Sequence, residues 1–300
     1  MSTHGVVIVN AGSGIGGHDV VAASIRDLFK ELGIDADVAL VSGRDVARAA
    51  RRAVEDGVSV VIAAGGDGTI GTVASVVAGS SATLGVIPLG TLNHFAKDLH
   101  IPLDLEGAAR TIAGGHSIAI DVGEVNGRSF INNASIGLYV RLVWEREKER
   151  RHGHRKWVAA AVAAGRLWQQ YRRVRVVVHT RNKHRVVRTP FVFVGNNEYQ
   201  LDGFQLGGRT RLDGGALHVL MAPGMTRIEL VKVLLRAFTG RLHGEDHLES
   251  LTTSEVSIQA WRRRIGVSLD GELWIAETPL SFRIRPGALR VLVPAPVAAT

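Results

Sequence analysis

Two acidic residues and a set of glycine-rich loops are the residue types in this chain that could bind and transfer a phosphoryl group. The first loop carries G-x-G-x-x-G over residues 12–17, between an apolar run and a helical stretch. A dinucleotide loop of this kind needs an acid at the end of the second strand. Here Asp35 and Asp37 stand at the beginning of that strand. The pattern therefore favours a phosphate-facing loop of another nucleotide fold, with a plain strand-to-helix turn as the structural alternative.

The second loop, residues 65–69, reads Gly-Gly-Asp-Gly-Thr between an apolar strand and a helix. Adjacent glycines let backbone N–H groups turn toward an anion, and the helix N-terminus behind them attracts it. Asp67 would repel phosphates unless Mg²⁺ bridges them or the carboxylate orients a reacting hydroxyl. A turn that merely caps a helix, with Thr69 as the cap, is the alternative.

The third loop, residues 88–98, follows the next apolar strand. Gly90 permits close approach of a ligand, and Thr91 and Asn93 offer neutral hydrogen bonds to a nucleotide. Lys97 could reach a phosphate. Because the carboxyl ends of parallel strands meet at one edge of a sheet, the three loops are expected to form one ligand site.

A fourth group of residues lies far along the chain, at Ser268–Glu272. Its alternating pattern predicts a strand that ends in a turn exposing the carboxylates of Asp270 and Glu272. An ordinary acidic β-turn would look the same. A phosphotransferase acting on a hydroxyl needs a general base, and Asp270 is the candidate.

The elements that must position these loops change character along the chain. Up to about residue 120, continuous apolar strands alternate with helices, which predicts a parallel sheet covered on both faces. From about Gly123, short β-branched segments separated by turn signals predict a mainly antiparallel β domain. The predicted strands are Val6–Val9, Asp37–Val41, Val58–Ala64, Leu84–Pro88, Val174–Thr180, Arg185–Val194, Ala216–Ala222, Val256–Ala260, Leu280–Arg285 and Leu289–Val293; the predicted helices are Val20–Leu32, Arg44–Asp56, a helix ending near Val77, and Met225–Phe238.

Composition sets limits on the function. With 300 residues, the chain is expected to form two domains at about 150 residues each. It has a net charge of +8, which favours acidic partners such as nucleotides, nucleic acid or anionic membrane. The absence of cysteine excludes disulfides, thiolate metal sites and cysteine nucleophiles. No apolar stretch approaches the length of a bilayer span, and the first residues lack a secretory signal, so a cytoplasmic location is expected.

Taken in order, these sites resemble the diacylglycerol kinase catalytic-domain family, which includes soluble bacterial lipid kinases and is related to sphingosine and ceramide kinases. The resemblance covers nearly the whole chain. Its most specific segment is Gly-Gly-Asp-Gly-Thr, which also occurs in NAD kinases and, in looser form, in phosphofructokinases. The matching segments are Asn10–Gly14, Gly65–Thr69, Pro88–Asn93 with Phe95-Ala96, Asp121, Phe130–Gly137, Gly195-Asn196 and Asp270–Glu272.

The resemblance implies an α/β plus β fold. Residues 1–122 would form the ATP-binding parallel-sheet domain, similar to NAD kinase and phosphofructokinase, and residues 123–300 an antiparallel β-sandwich lipid domain, with the last strands returning to the first domain. It implies transfer of the γ-phosphoryl group of ATP, with Mg²⁺, to a lipid hydroxyl, with diacylglycerol giving phosphatidic acid as the leading reaction. An NAD kinase-like enzyme and a basic nucleic-acid or membrane-binding protein are the alternatives.

The resemblance also implies roles for individual residues. Asp67 would belong to the phosphate–magnesium network, Asp121 would support that network, and Asp270 would be the general base with Glu272 beside it. The residues that would line or approach the nucleotide are Asn10, Ser13, Gly65, Gly66, Gly68, Thr69, Thr91 and Asn93.

The chain departs from the family pattern at two places. His94 stands where the family usually has Asp, and Asp98, one helical turn further on, could replace that acid. The family's structural magnesium turn, Asp-Asp-Gly-x-x-Asp, keeps only its first acid here, Asp213, which leaves that metal site incomplete.

A basic and aromatic segment offers a route to the lipid. Between Arg141 and Arg188 arginines and lysines are interleaved with tryptophans, and residues 157–171 would suit an interfacial helix. A solvated basic helix with its tryptophans in the core is the alternative. We therefore expect a peripheral protein at the inner membrane face whose partner is a lipid at an anionic surface, without nucleic acid. The oligomeric state stays open, a homodimer included.

Overall fold

A computed structural model gives the fold, and it describes residues 4–12, 17–137, 173–180, 184–199, 208–229 and 248–296. The chain divides into two compact units. The first comprises Met1–Val122, Arg128–Ile131 and Arg285–Thr300, and the second comprises Gly123–Gly127 and Asn132–Ile284. Two predictions, Ser13 as a nucleotide contact and the interfacial helix over residues 157–171, concern residues outside the described ranges.

The first unit is built on a parallel sheet flanked by helices. Strand order is β2-β1-β3-β4, and the last strand of the chain joins β4 in parallel through Arg290 and Thr83. The elements are β1 Gly5–Asn10, α1 His18–Glu31, β2 Ala36–Val41, a 3₁₀ turn Gly43–Asp45, α2 Val46–Glu55, β3 Val60–Gly65, α3 Asp67–Val77, β4 Thr83–Pro88, α4 His94–Asp98, α5 Leu105–Gly114, β5 Ser117–Val125, of which residues 117–122 belong to this unit, and β6 Arg128–Phe130.

The central strands of this sheet are buried on both faces. Residues 61–65 of β3 and 84–88 of β4 are buried without alternation, as expected where helices cover both sides. In α3, one of the covering helices, Ile70, Val73 and Val77 are almost fully buried. The sheet therefore holds the carboxyl ends of β1, β3 and β4, where the three glycine-rich loops start, on a rigid base.

The second unit contains two antiparallel sheets. One has six strands in the order β12-β11-β10-β7-β14-β15, and the other combines β9, β8 and β13 with residues 280–284 of β16. The elements are β7 Asn133–Gly137, β8 Val174–His179, β9 His184–Thr189, β10 Phe191–Asn196, β11 Leu217–Met221, β12 Glu249–Thr253, β13 Glu255–Ala260, β14 Arg264–Leu269, β15 Glu272–Glu277 and β16 Leu280–Leu292. The predicted fold class is confirmed.

Two strand predictions were wrong in detail. The strand predicted over 185–194 is split at Pro190 into β9 and β10, which belong to different sheets. Proline has no N–H for a ladder, and the Thr189 hydroxyl donates to the Phe191 carbonyl oxygen at 2.7 Å across the bend. Conversely, the two strands predicted after residue 280 are one continuous strand, β16, despite Pro286 and Gly287 within it.

Two helix predictions need adjustment. The helix predicted from Arg44 starts with the 3₁₀ turn, and α2 proper begins at Val46. Of the helix predicted over 225–238, residues 227–229 are helical and residues from 230 on lie outside the described ranges. Among the helices within those ranges, none is both long enough and apolar enough to cross a bilayer.

Candidate active site

Asn10 connects the first two glycine-rich loops. It is the last residue of β1, and its Nδ2 donates to the Thr69 hydroxyl at 2.8 Å. Its Oδ1 accepts from the Gly12 N–H at 2.8 Å, which closes a tight turn at the start of the first loop. Asp37 pairs with Val6 at the opposite end of these parallel strands, so the acid that a dinucleotide site requires is far from this loop.

Asp67 connects the second loop to the third. It is the first residue of α3, is half-buried, and its Oδ1 accepts from the Phe95 N–H at 3.4 Å. Within the described ranges, Oδ2 accepts no hydrogen bond. The carboxylate thus lies at the N-terminus of α3 with one oxygen turned to the backbone of α4 and the other available to a ligand.

Glycine is required where the second and third loops touch. A Cβ on Gly90 would lie 2.7 Å from the Gly66 Cα, and a Cβ on Gly65 would lie 2.6 Å from the Thr69 Cβ. Real Cβ atoms essentially never come this close to a neighbour, so a side chain at either position would force the neighbouring atoms to move. Gly90 of the third loop therefore approaches Gly66 of the second backbone to backbone, beside the N-terminus of α3.

In the third loop, the Asn93 side chain forms hydrogen bonds with the backbone of the loop itself. It is buried with φ +50°, its Oδ1 accepts from the Gly90 N–H at 3.0 Å, and its Nδ2 donates to the Gly90 carbonyl oxygen at 2.9 Å. This arrangement shapes the loop and leaves Thr91 exposed at its tip. His94 is exposed and Asp98, the last residue of α4, is half-buried.

Asp121 is held by the last strand of the chain. It is 2 % exposed, and its Oδ1 accepts from the Gly287 N–H at 2.9 Å. Gly287 has φ +58°, a conformation that favours glycine. The contact ties β5 to β16 across 166 residues of sequence, and a role of Asp121 in the phosphate–magnesium network remains a prediction.

Asp270 occupies the hairpin between β14 and β15. Asp270 and Gly271 form a two-residue loop with φ values of +46° and +90°, as an Asp-Gly hairpin turn requires. Oδ1 of Asp270 accepts from the N–H groups of Asn132 and Asn133, at 2.8 and 3.0 Å. The carboxylate is therefore held in one orientation by backbone donors, while Glu272, the first residue of β15, is exposed.

A buried polar network that the sequence analysis missed supports Asn132. Tyr199 donates its hydroxyl to the Asn132 carbonyl oxygen at 2.9 Å, and Arg209 donates to the Asn132 Oδ1 at 2.8 Å and to the Asn196 carbonyl oxygen at 3.1 Å. Arg209 is 6 % exposed and lies over the Tyr199 ring. Gly195 is needed here, since a Cβ would lie 2.6 Å from that ring. The sequence signal was the pair Gly195-Asn196, whose purpose only the fold reveals.

His218 belongs to the same network and is held neutral. It is 5 % exposed, and its Nδ1 accepts from the Tyr199 N–H at 3.2 Å. Burial lowers the pKa of His218 below its ordinary 6.5, against a smaller opposing effect of Glu198. Because Nδ1 accepts a hydrogen bond, the proton of the neutral ring is on Nε2.

We expect folding stability to fall as the pH drops below about 6.5, because unfolded His218 titrates there and the folded residue titrates lower. The unfolded chain then binds more protons than the folded chain, so the stability present above this pH is progressively lost. Thermal unfolding of His218→Asn, which keeps an acceptor for the Tyr199 N–H, should show a flatter pH profile than the wild type. His179→Asn, at an exposed histidine of β8, should follow the wild type. A His218→Asn profile as steep as the wild-type profile would contradict the assignment.

Asp213 is engaged by an arginine. Its Oδ1 accepts from Arg211 Nε at 3.0 Å, and this hydrogen bond lowers the pKa of Asp213 below its ordinary value. In the part of the chain that the structure describes, no three histidine or acidic side chains come together as a metal site would need. Next to this turn, the Asn197 Oδ1 accepts from the Gly214 N–H at 2.9 Å, so side chain and backbone close the turn.

The fold and these loops define a class: a protein with an α/β unit carrying a phosphate-type Gly-Gly-Asp-Gly loop and a second unit of antiparallel sheets. The diacylglycerol kinase catalytic domain profile matches residues 4–125, and that of the YegS C-terminal NAD kinase beta sandwich-like domain matches residues 140–293. The chain belongs to the diacylglycerol kinase catalytic-domain family.

Among curated relatives, diacylglycerol kinases of Staphylococcus aureus strains JH9 and Newman are each 44% identical to the chain over 103 residues. That match covers 34% of this chain and 33% of each relative. The matched part thus spans about a third of the length of these relatives.

Solved structures extend the likeness in fold to nearly the whole chain. The crystal structure of a diacylglycerol kinase from Bacillus anthracis str. Sterne has a TM-score of 0.71 at 19% identity, and that of a candidate diacylglycerol kinase from the same strain has 0.76 at 20%. Each comparison covers 97% of both chains. At this identity the likeness concerns the fold alone.

Proposed function

We propose that this protein is a lipid kinase that transfers the γ-phosphoryl group of ATP to the free hydroxyl of diacylglycerol, giving phosphatidic acid. The observation that carries the proposal is the Asp67 loop, in which a half-buried carboxylate stands at a helix N-terminus between two glycine loops in backbone contact. An anion-binding backbone with one carboxylate inside it suits a magnesium-bound polyphosphate. Family membership supports the choice of a lipid hydroxyl as acceptor.

The residues of the first unit fit a nucleotide with its metal. Mg²⁺ in such sites uses one or two carboxylates together with phosphate oxygens and water, and Asp67 would supply one such carboxylate. When bound, the ion neutralises charge on the transferred group. The backbone N–H groups of residues 66–69 lie at the N-terminus of α3, where they would hold phosphate oxygens. Asn10 keeps Thr69 in position through its side-chain hydrogen bond.

In the second unit, Asp270 would act as the general base. Its Oδ1 is occupied by the N–H groups of Asn132 and Asn133, which fixes the plane of the carboxylate. In our proposal, Oδ2 takes the proton of the lipid hydroxyl as the oxygen–phosphorus bond forms. Tyr199 and Arg209 are positioning residues, since they hold Asn132 and through it the orientation of Asp270.

The proposed partner is a lipid presented by an anionic membrane surface, and the cellular place is the inner membrane face. The net charge of +8 supports this choice, because anionic lipid attracts a basic protein.

A transfer assay with radiolabelled ATP tests the reaction. The full chain is incubated with diacylglycerol, a sphingoid base, ceramide or NAD, with lipids in mixed micelles, with and without Mg²⁺. We expect label in phosphatidic acid that depends on Mg²⁺. Label in NAD would favour the soluble-nucleotide alternative, label in another lipid would change the acceptor but keep the class, and no label in any acceptor would overturn the proposal.

A further inference from the structure

The turn between β13 and β14 exposes a tryptophan. Trp261 is 84 % exposed, and the next three residues are Arg262, Arg263 and Arg264. A tryptophan usually buries most of its large apolar surface, so one that stands in water indicates a surface that is covered in use.

Trp261 is part of a larger outward face of β13, β8 and β9. The ladders pair Arg175 with Arg188, Val177 with Val186, and Gln259 with Val177, so these side chains alternate away from the buried Val176, Val178 and Val187. Val186 is 56 % exposed, and the Arg175 guanidinium lies 5.6 Å from the centre of the Trp261 ring. We call this surface the tryptophan face; its members are Arg175, Val177, Val186, Arg188, Gln259 and Trp261.

The tryptophan face and its adjoining turn are strongly basic. Glu277 is paired with Arg264 at 3.0 Å and with Arg263 at 3.8 Å. Within the described ranges, the exposed arginines Arg175, Arg188 and Arg262 have no carboxylate within salt-bridge distance. Among the described residues, three exposed arginines without a carboxylate partner thus share this surface with an exposed indole and an exposed valine, so the surface is both cationic and apolar.

We propose that the tryptophan face binds the surface of an anionic bilayer. Tryptophan favours the headgroup level of a membrane, where its ring is in an apolar layer and its N–H in a polar one. Arginines close to such a surface gain from the negative potential of anionic lipid. The aliphatic Val177 and Val186 add apolar area to a flat sheet face, which fits a bilayer better than a nucleic acid, whose bases need aromatic platforms in a groove.

This inference rests on the proposed function in one respect: diacylglycerol is dissolved in a bilayer, so a kinase that uses it has to reach one. None of its residues belongs to the Asp67 loops or to the Asp270 hairpin, and none takes part in the proposed transfer step. Its role is to hold the enzyme at the membrane where the acceptor lies.

Vesicle flotation of the full chain tests the proposal without ATP or diacylglycerol. The vesicles contain equal parts of phosphatidylglycerol and phosphatidylcholine, and pure phosphatidylcholine vesicles serve as the neutral comparison. We expect Trp261→Ala to weaken binding roughly tenfold. Arg188→Ala with Arg262→Ala should weaken it about twenty- to thirtyfold, at about fivefold for each arginine near the surface. Both changes are at exposed positions, so thermal unfolding should not move.

The matched control is Arg44→Ala with Arg51→Ala, which also removes two positive charges from exposed positions. Arg44 lies in the 3₁₀ turn before α2, and Arg51 lies in α2. It should change binding less than about twofold. If the control pair weakens binding as much as the tryptophan-face pair does, net charge explains the binding and the proposal is overturned. Unchanged binding by both tryptophan-face variants would also overturn it. Tight DNA binding lost in the same variants, with no vesicle binding, would make the surface a nucleic-acid site. Flotation needs no turnover, so it tests the membrane surface independently of the reaction. If the kinase assay gives no product but flotation shows the expected pattern, the membrane surface is supported and only the proposed reaction is refuted.

Discussion

Asp270→Asn is expected to lower kcat by about 10²- to 10⁴-fold, because the amide cannot accept the proton of the lipid hydroxyl. The substitution keeps the geometry. Asparagine tolerates the φ of +46° at this position, and its Oδ1 can still accept from the N–H groups of Asn132 and Asn133. Steady-state kinetics with diacylglycerol in mixed micelles measure the effect.

Two companion variants separate chemistry from structure. Asp270→Ala removes the acceptor for two backbone N–H groups. It also leaves an alanine in the left-handed region without the hydrogen bonds that Asp270 makes there. The melting temperature of Asp270→Ala should therefore fall, while that of Asp270→Asn should not. Glu272→Gln removes a carboxylate from the same hairpin but leaves the contacts of Asp270 with Asn132 and Asn133 intact. We expect its loss of kcat to be at least about tenfold smaller. Near wild-type kcat in a folded Asp270→Asn enzyme would remove the general-base assignment.

The strand ends and their loops could be predicted because both signals are local. Continuous apolar runs identified β1, β3 and β4, and the glycines Gly12, Gly65 and Gly90, each at the strand end or within two residues of it, marked where each strand stops. Asp-Gly after the alternating segment that ends at Leu269 likewise located the turn of Asp270. In each case residues close in sequence determine the local conformation, so periodicity and turn chemistry were sufficient.

What the sequence did not reveal depends on contacts between distant residues. The partners of Asn132, namely Tyr199 and Arg209, lie 67 and 77 positions away, and Asp121 meets Gly287 after 166. Nothing in the sequence near Arg209 distinguishes it from the many exposed arginines, yet it is buried. Asn93 is a different case, because both of its polar groups engage Gly90, only three residues away. Its contact with the nucleotide stays a prediction.

Asp67→Asn is expected to reduce kcat roughly 10²- to 10³-fold and to weaken the dependence of the rate on Mg²⁺, because it removes the charge that the ion would meet. The amide oxygen can still accept from the Phe95 N–H, so the loops and the fold should stay intact. A titration of the initial rate with Mg²⁺ at fixed ATP measures both effects.

The matched control for that titration is Asp104→Asn. Asp104 is also an acid at a helix N-terminus of the first unit, where its Oδ1 accepts from the Gly107 N–H at 2.7 Å. Asparagine caps a helix about as well as aspartate, so this variant should keep the wild-type rate and magnesium dependence. The two variants lose the same charge in the same kind of structural setting, and they differ in that only Asp67 lies within the glycine loops. An equal loss of activity in both variants would assign the effect to the general electrostatics of the first unit. Full magnesium-dependent turnover by Asp67→Asn would show that Asp67 does not bind the ion.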